Sequence, residues 1–213
     1  MASADFPALA ARLDPKDMAG AIAGFPGHFQ QGWRLAAELE PRHRAQELDG
    51  VVVIGMGGSA MGGDLLRVLA RPTARVPVTV VRDYVLPAWV GPRTLVIASS
   101  YSGNTEETLA AFEDAVDRGA GIYVLASGGD LHTEALQRDL PHAVLPGGMQ
   151  PRAALGYSFG ALLRVADKVG LVAVPEEVYA EAVDGIERQA QDSRKRRPVR
   201  PSVWRTAFTG GCL

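Results

Sequence analysis

Residues Val51-Val52-Val53-Ile54 form an unbroken β-branched run that empties directly into Gly55-Met56-Gly57-Gly58-Ser59-Ala60-Met61-Gly62-Gly63. A strand with no polar alternation is prepared for burial on both faces. Burial on both faces requires covering layers above and below, which confines the chain to a sheet sandwiched between helices. The rest of the sequence keeps the same rhythm. Strands are predicted over 78–81, 95–98 (ending at Ser99-Ser100), 121–125 and 143–145. Helices are predicted over 105–118, where Leu109, Phe112 and Val116 recur at helical spacing, and over 131–138. Leu65, Leu66 and Leu69 mark the expected buried face of the helix that follows the glycine run. Strands alternating with helices give the predicted fold class: α/β, a three-layer αβα sandwich with a five-stranded parallel sheet.

The flanks read as helical. Asp17 is placed to cap a short helix through Ile22, a second helix is expected over about 27–39, and Pro41 breaks the pattern, leaving 1–45 as a peripheral helical segment packing on the core. The helix expected over 153–172 is apolar around most of its circumference, so part of its surface is expected to stay open and to favour self-association. Pro175 opens a further helix toward Gln191. The expected division is 46–173 as the α/β domain, 174–193 as a C-terminal helix and 194–213 as a basic linker or aberrant tail.

Composition excludes several function classes. The 213 residues carry a formal net charge of −2, without the basic surplus of a nucleic-acid-binding domain. The one cysteine, Cys212, has no partner for an internal disulfide and suits a reducing, cytoplasmic setting. Met1 to Ala11 lacks the basic-then-apolar pattern of a signal peptide, and no run approaches the roughly 20 apolar residues of a membrane span.

Two loops carry the chemistry. Gly55-x-Gly57-x-x-Ala60 after a strand fits a dinucleotide fingerprint, with Asp83 past the second strand as a candidate ribose carboxylate; the spacing is longer than the usual 20 or so residues. The second loop, Ser100-Tyr101-Ser102-Gly103-Asn104-Thr105, offers the hydroxyls of Ser100, Ser102 and Thr105 just ahead of a helix. Hydroxyls, free backbone N–H groups and a helix N-terminus together make an anion site that needs no lysine. Ser59 adds a hydroxyl from the neighbouring strand end, and Asn104 with Glu107 is expected to cap the helix over 105–118. A helix cap accounts for one such hydroxyl, not three and a matching loop.

The segments Gly57-Gly58-Ser59-x-x-Gly62-Gly63-Asp64, Ser99-Ser100-Tyr101-Ser102-Gly103-Asn104-Thr105-Glu106-Glu107-Thr108 and Gln150-Pro151-Arg152-Ala153-Ala154-x-Gly156-Tyr157 resemble the sugar isomerase (SIS) fold. Within it they look closest to the bifunctional phosphoglucose/phosphomannose isomerases, over about 17–171. The resemblance implies that Gly57, Gly58 and Ser59 line a sugar-phosphate pocket, that Ser100, Ser102 and Thr105 hold the phosphate, and that Arg152 lies beside the reacting carbons. It implies aldose–ketose isomerisation of a sugar 6-phosphate by proton transfer between C1 and C2, with no cofactor and no metal, in a homodimer of the full-length family. Arg152 suits stabilisation of an enediolate, being permanently charged with a planar fork.

The sequence departs from that family in one respect. The family's catalytic glutamate and ring-opening histidine lie in segments of a second SIS domain, and neither segment occurs here, so the resemblance implies a truncated chain without its base. His28, His43, His132 and His142 read as surface or minor packing residues, and Glu106 and Glu107 as favourable charges at a helix N-terminus. Two alternatives stay open: a non-catalytic module that senses a phosphosugar, and a dinucleotide-binding oxidoreductase.

Overall fold

The computed structural model describes residues 12–195; residues 1–11, the tail from 196 onward and Cys212 lie outside the described residues. Val51, Val52, Val53 and Ile54 are shut off from solvent at the middle of the sheet, as a two-faced apolar run demands. In chain order the elements are α1 (Met18–Ala23), α2 (Phe25–Leu35), a 3-10 turn (Ala45–Glu47), β1 (Gly50–Ile54), α3 (Gly57–Ala70), β2 (Val78–Val81), β3 (Thr94–Ser100), α4 (Glu106–Asp117), β4 (Gly121–Ala126), α5 (Gly129–Gln137), β5 (His142–Val144), α6 (Leu155–Lys168) and α7 (Glu176–Lys195). All strand pairs are parallel, in the order β2-β1-β3-β4-β5.

The register places Val51 beside Leu95 and Val78, and successive residues of each strand point to opposite faces. Val51, Val53, Leu95, Ile97, Tyr123 and Leu125 therefore enter one apolar cluster, with α2, α3 and α6. Val52, Ile54, Val96, Ala98, Ile122 and Val124 enter the other, with α4 and α5. Each fully buried Val, Leu or Ile contributes roughly 1.5–3 kcal/mol relative to exposure, so both faces of the sheet stabilise the sandwich. The three-layer αβα sandwich is the architecture expected. Asp17 caps α1, accepting a hydrogen bond from the Gly20 N–H at 3.1 Å.

Three expectations are corrected. Of the N-terminal helices, α1 is peripheral, with no buried residue, but α2 is not: its Phe29 belongs to the main core, and α2 lies directly on α6. The apolar circumference of α6 is not open, because α2 and α3 flank it and the sheet lies beneath; Tyr157, Ala161, Leu162, Leu163, Val165 and Ala166 are all buried. The exposed apolar surface is on α3 instead, where Leu65, Val68 and Leu69 are 37%, 63% and 52% exposed. The reason is steric. α3 buries its small residues Ser59, Ala60, Gly62, Gly63 and Ala70 with Leu66, which lets the helix sit close on the sheet and turns the neighbouring leucines outward.

Candidate functional site

β1 sits between β2 and β3, so the chain leaves it in one direction and returns on its other side. In open parallel sheets the crevice beyond the carboxyl ends of such strands is where ligands bind. Both sequence loops open there. Gly57 begins α3 with φ +49°, a left-handed conformation that glycine adopts without cost. α3 has Met56 as its N-cap and α4 has Thr105, and neither helix end receives a side-chain capping hydrogen bond. The first N–H groups of a helix have no intrahelical acceptor, and each N-terminus carries roughly half a positive charge. Two uncapped ends on neighbouring strands converge on one crevice.

The expected cap by Asn104 is corrected by the same geometry. Asn104 Oδ1 accepts from the Asp130 N–H at 2.9 Å, satisfying the start of α5 and leaving the end of α4 open. Gly103, at φ +72°, packs its α-carbon against the Gly128 carbonyl where a side chain would collide. The carboxylates of Glu106 and Glu107 lie in the first turn of α4, as expected.

The hydroxyls divide into two kinds. Ser100 belongs to β3 rather than to the loop and is buried; its Oγ donates to Thr105 Oγ1 at 3.1 Å and accepts from Gly103 N at 3.2 Å. The Ser100–Thr105 contact ties the end of β3 to the N-cap of α4. Ser102 is exposed, accepting from Asn104 N at 3.3 Å with its proton available. Ser59 is buried, and its Oγ accepts from Tyr101 N at 3.1 Å, which bonds the first loop to the second.

Arg152 arrives from the turn before α6. A β-carbon on Gly58 would stand 2.8 Å from Arg152 Cα and 3.0 Å from its N, so Gly58 allows the arginine's backbone to rest on the glycine loop. The guanidinium is exposed and donates to Gln150 Oε1 at 2.7 Å. Gly57, Gly58, Ser59, Ser100, Ser102, Thr105 and Arg152 are thus brought to the carboxyl end of the sheet, beyond β1 and β3.

Tyr101 is the residue that sequence reasoning missed. It is 5% exposed in a loop of small polar residues. Its hydroxyl donates to the Pro146 carbonyl at 2.7 Å and accepts from Met149 N at 3.1 Å. Its carbonyl accepts from Ser127 Oγ at 2.5 Å. An aromatic side chain inside a Ser/Gly loop is the signal that could have found it, since such a ring must be buried somewhere.

On the flank toward β2 the field is negative. Glu107, then burial, Glu106 and Asp83, push the Tyr84 phenol above its ordinary value. Asp83, the candidate ribose ligand, accepts from the N–H of Tyr84, its own neighbour, at 2.7 Å. Among the histidines, His28 stacks on Tyr157 with ring centroids 4.5 Å apart, His43 packs edge-on to Tyr123, and His132 and His142 also meet edge-on. Among the described residues, no three His, Cys, Asp or Glu side chains gather as a metal ion would require.

The fold and the loop pair define the class: a sugar isomerase (SIS) fold of the kind found in phosphosugar isomerases. Among solved structures, tagatose-6-phosphate ketose/aldose isomerase from Escherichia coli superposes with a TM-score of 0.62 at 16% identity, covering 82% of this chain and 53% of that one. At the sequence level the chain is related to the bifunctional phosphoglucose/phosphomannose isomerases. It is 45% identical over 162 residues to the one from Caldicellulosiruptor bescii, covering 76% of this chain and 48% of the relative. It is 41% identical over 114 residues to the one from Thermoplasma acidophilum, covering 54% and 34%. The chain therefore spans about half the length, or less, of these curated relatives. No protein-family model matches it.

Proposed function

We propose that this chain is the phosphosugar-binding part of an aldose–ketose isomerase acting on glucose 6-phosphate and mannose 6-phosphate to give fructose 6-phosphate. The observation that carries this reading is the pair of uncapped helix N-termini, α3 and α4, facing one crevice with Arg152 resting on Gly58. Backbone N–H groups of both helices, with the hydroxyls of Ser100, Ser102 and Thr105, bind the phosphate, and Gly57, Gly58 and Ser59 form its floor. Ser100 and Ser59 also hold the two loops in place, through the contacts to Thr105 and Gly103 and through the Tyr101 N–H. Arg152 lies over the sugar, where its planar cation stabilises the enediolate formed as a proton moves between C1 and C2. Residues 46–173 form the binding unit, with the helices on either side bracing it.

No residue of this constellation serves as the base. Glu106 and Glu107 stand on the phosphate side, where a carboxylate repels the ligand it would have to serve. The chain by itself thus binds and does not efficiently convert. A module that senses a phosphosugar without converting it is the second reading, favoured by the same missing base. Both readings place the protein in the cytoplasm, with a sugar 6-phosphate as ligand, without nucleic acid or membrane partners, and with dimerisation as a property of full-length relatives.

Thermal unfolding with fructose 6-phosphate, mannose 6-phosphate and NAD(P) tests the pocket. A ligand at 100-fold its Kd stabilises by about 2.7 kcal/mol, so a sugar phosphate is expected to raise the Tm by several degrees. No shift with any sugar phosphate overturns the reading, and a shift with NAD(P) alone replaces it with a dinucleotide site. Coupled assays of glucose 6-phosphate and mannose 6-phosphate conversion should show little turnover; robust turnover overturns the claim that the chain lacks a working base.

A further inference from the structure

The three segments of the site come from distant parts of the chain, and one residue touches all of them. Tyr101 donates its backbone N–H to Ser59 Oγ at 3.1 Å, joining the glycine loop to its own loop. Its buried side chain reaches the segment that leads into Arg152, where the hydroxyl donates to the Pro146 carbonyl at 2.7 Å and accepts from the Met149 N–H at 3.1 Å. Its carbonyl is pinned by the N–H of Ser127 at 3.0 Å and by Ser127 Oγ at 2.5 Å, at the end of β4. Met149 is followed at once by Gln150, which accepts from the Arg152 guanidinium at 2.7 Å. Met149 and Gln150 also line a cavity of about 400 Å³, together with Lys16 and Met18.

We infer that Tyr101 is a positioning residue: its phenol sets the height and direction of Arg152 over the phosphate cradle, while its backbone holds the cradle itself. The two tasks use different atoms and so are separable. Tyr101→Phe keeps the ring and the backbone bond to Ser59 but releases Pro146 and Met149. The cradle should survive, and the placement of Gln150 and Arg152 should not. Two part-buried hydrogen bonds are lost, which corresponds to roughly tenfold in any property that depends on their alignment. The inference rests on the phosphosugar reading above.

The test compares two ligands on the 213-residue chain by calorimetry or NMR titration. Inorganic phosphate reads the cradle alone; fructose 6-phosphate reads the cradle and Arg152 together. Tyr101→Phe should leave phosphate affinity within about twofold and weaken fructose 6-phosphate about tenfold. In the Tyr101→Phe background, Arg152→Ala should cost little more, because the arginine is already misplaced. Equal losses for both ligands would make Tyr101 merely structural and overturn the inference, as would unchanged affinity for both or fully additive effects of the two substitutions. If Tyr101→Phe does not fold, the wild-type chain decides: fructose 6-phosphate, but not phosphate, should slow hydrogen exchange of the Met149 amide, and equal protection by both overturns the inference. Wild-type chain that binds phosphate and no sugar phosphate defeats the phosphosugar reading instead, a result distinguishable from failure of the Tyr101 assignment.

Discussion

At the residue scale, the hydroxyls that look alike in the sequence carry different loads. Ser59 is buried and its oxygen is the acceptor for a buried N–H, that of Tyr101. Ser102 is exposed and accepts only within its own turn. Ser59→Ala strands a donor in the interior, so chemical denaturation should report a loss of about 1–3 kcal/mol. Ser102→Ala should change stability by less than about 0.5 kcal/mol while weakening phosphate binding. Equal stability of the two variants would show that the Ser59–Tyr101 bond does not hold the loops together. Residue types and spacing picked out both serines as candidate site residues. They did not reveal the protein partner of Ser59, because the Tyr101 N–H that it accepts lies 42 residues further along the chain. The role of Tyr101 was hidden for a related reason: its partners at Pro146 and Met149 are 45 and 48 residues away, a separation no local pattern encodes.

At the element scale, what the sequence disclosed depends on how periodicity meets packing distance. The strands were legible because burial on two faces leaves an unmistakable apolar run, as in Gly50–Ile54 and Thr94–Ser100. The helix faces were less so. Leucine spacing on α3 held for Leu66, which is buried, but not for Leu65 and Leu69, since glycines let the backbone itself make the contact. The same device explains why α6 needs no cover beyond this chain. Gly160 of α6 faces the Phe29 carbonyl and stands where its β-carbon would lie 3.0 Å from the Trp33 N, while a β-carbon on Gly156 would lie 3.0 Å from the Phe25 carbonyl. Backbone-to-backbone contact between α2 and α6 tolerates no added methyl without separating the helices. Gly160→Ala should therefore lower stability by about 1–3 kcal/mol, despite alanine's better helix propensity, as an overpacked contact does. An increase in Tm for this variant would mean the helices have room to spare and that α2 is only loosely applied to the domain.

At the scale of the whole molecule, the N-terminal segment is bound to the sheet domain through contacts that include two histidines. His28, on α2, stacks on Tyr157 of α6, and His43 lies edge-on to Tyr123 of β4. The Nδ1 atoms of both are buried without a hydrogen-bond partner. Burial pushes both below the ordinary histidine value of 6.5, with Arg42 adding to the effect at His43 and Glu47 opposing it. The folded state then holds protons less readily than the unfolded chain at these positions. Stability from the neutral rings is present above about pH 6.5 and is lost as the pH falls below it, because the unfolded state takes up the extra protons. The carboxylates act in a separate and more acidic window. Asp14, held down by the Ala19 and Met18 N–H groups, and Asp114, held down by Arg118 and the Leu86 N–H against the cost of burial, contribute stability that is lost as the pH falls below their ordinary value of 3.8. Tm measured from about pH 7.5 to about pH 5 should decline, and His28→Phe with His43→Phe, which keep aromatic rings against Tyr157 and Tyr123, should flatten that decline without altering the loss at lower pH. The early loss should appear first as exchange or proteolysis of α2, since both rings fasten the N-terminal segment to the sheet domain. A decline of unchanged slope in the double variant would show that these rings do not couple proton uptake to the docking of that segment.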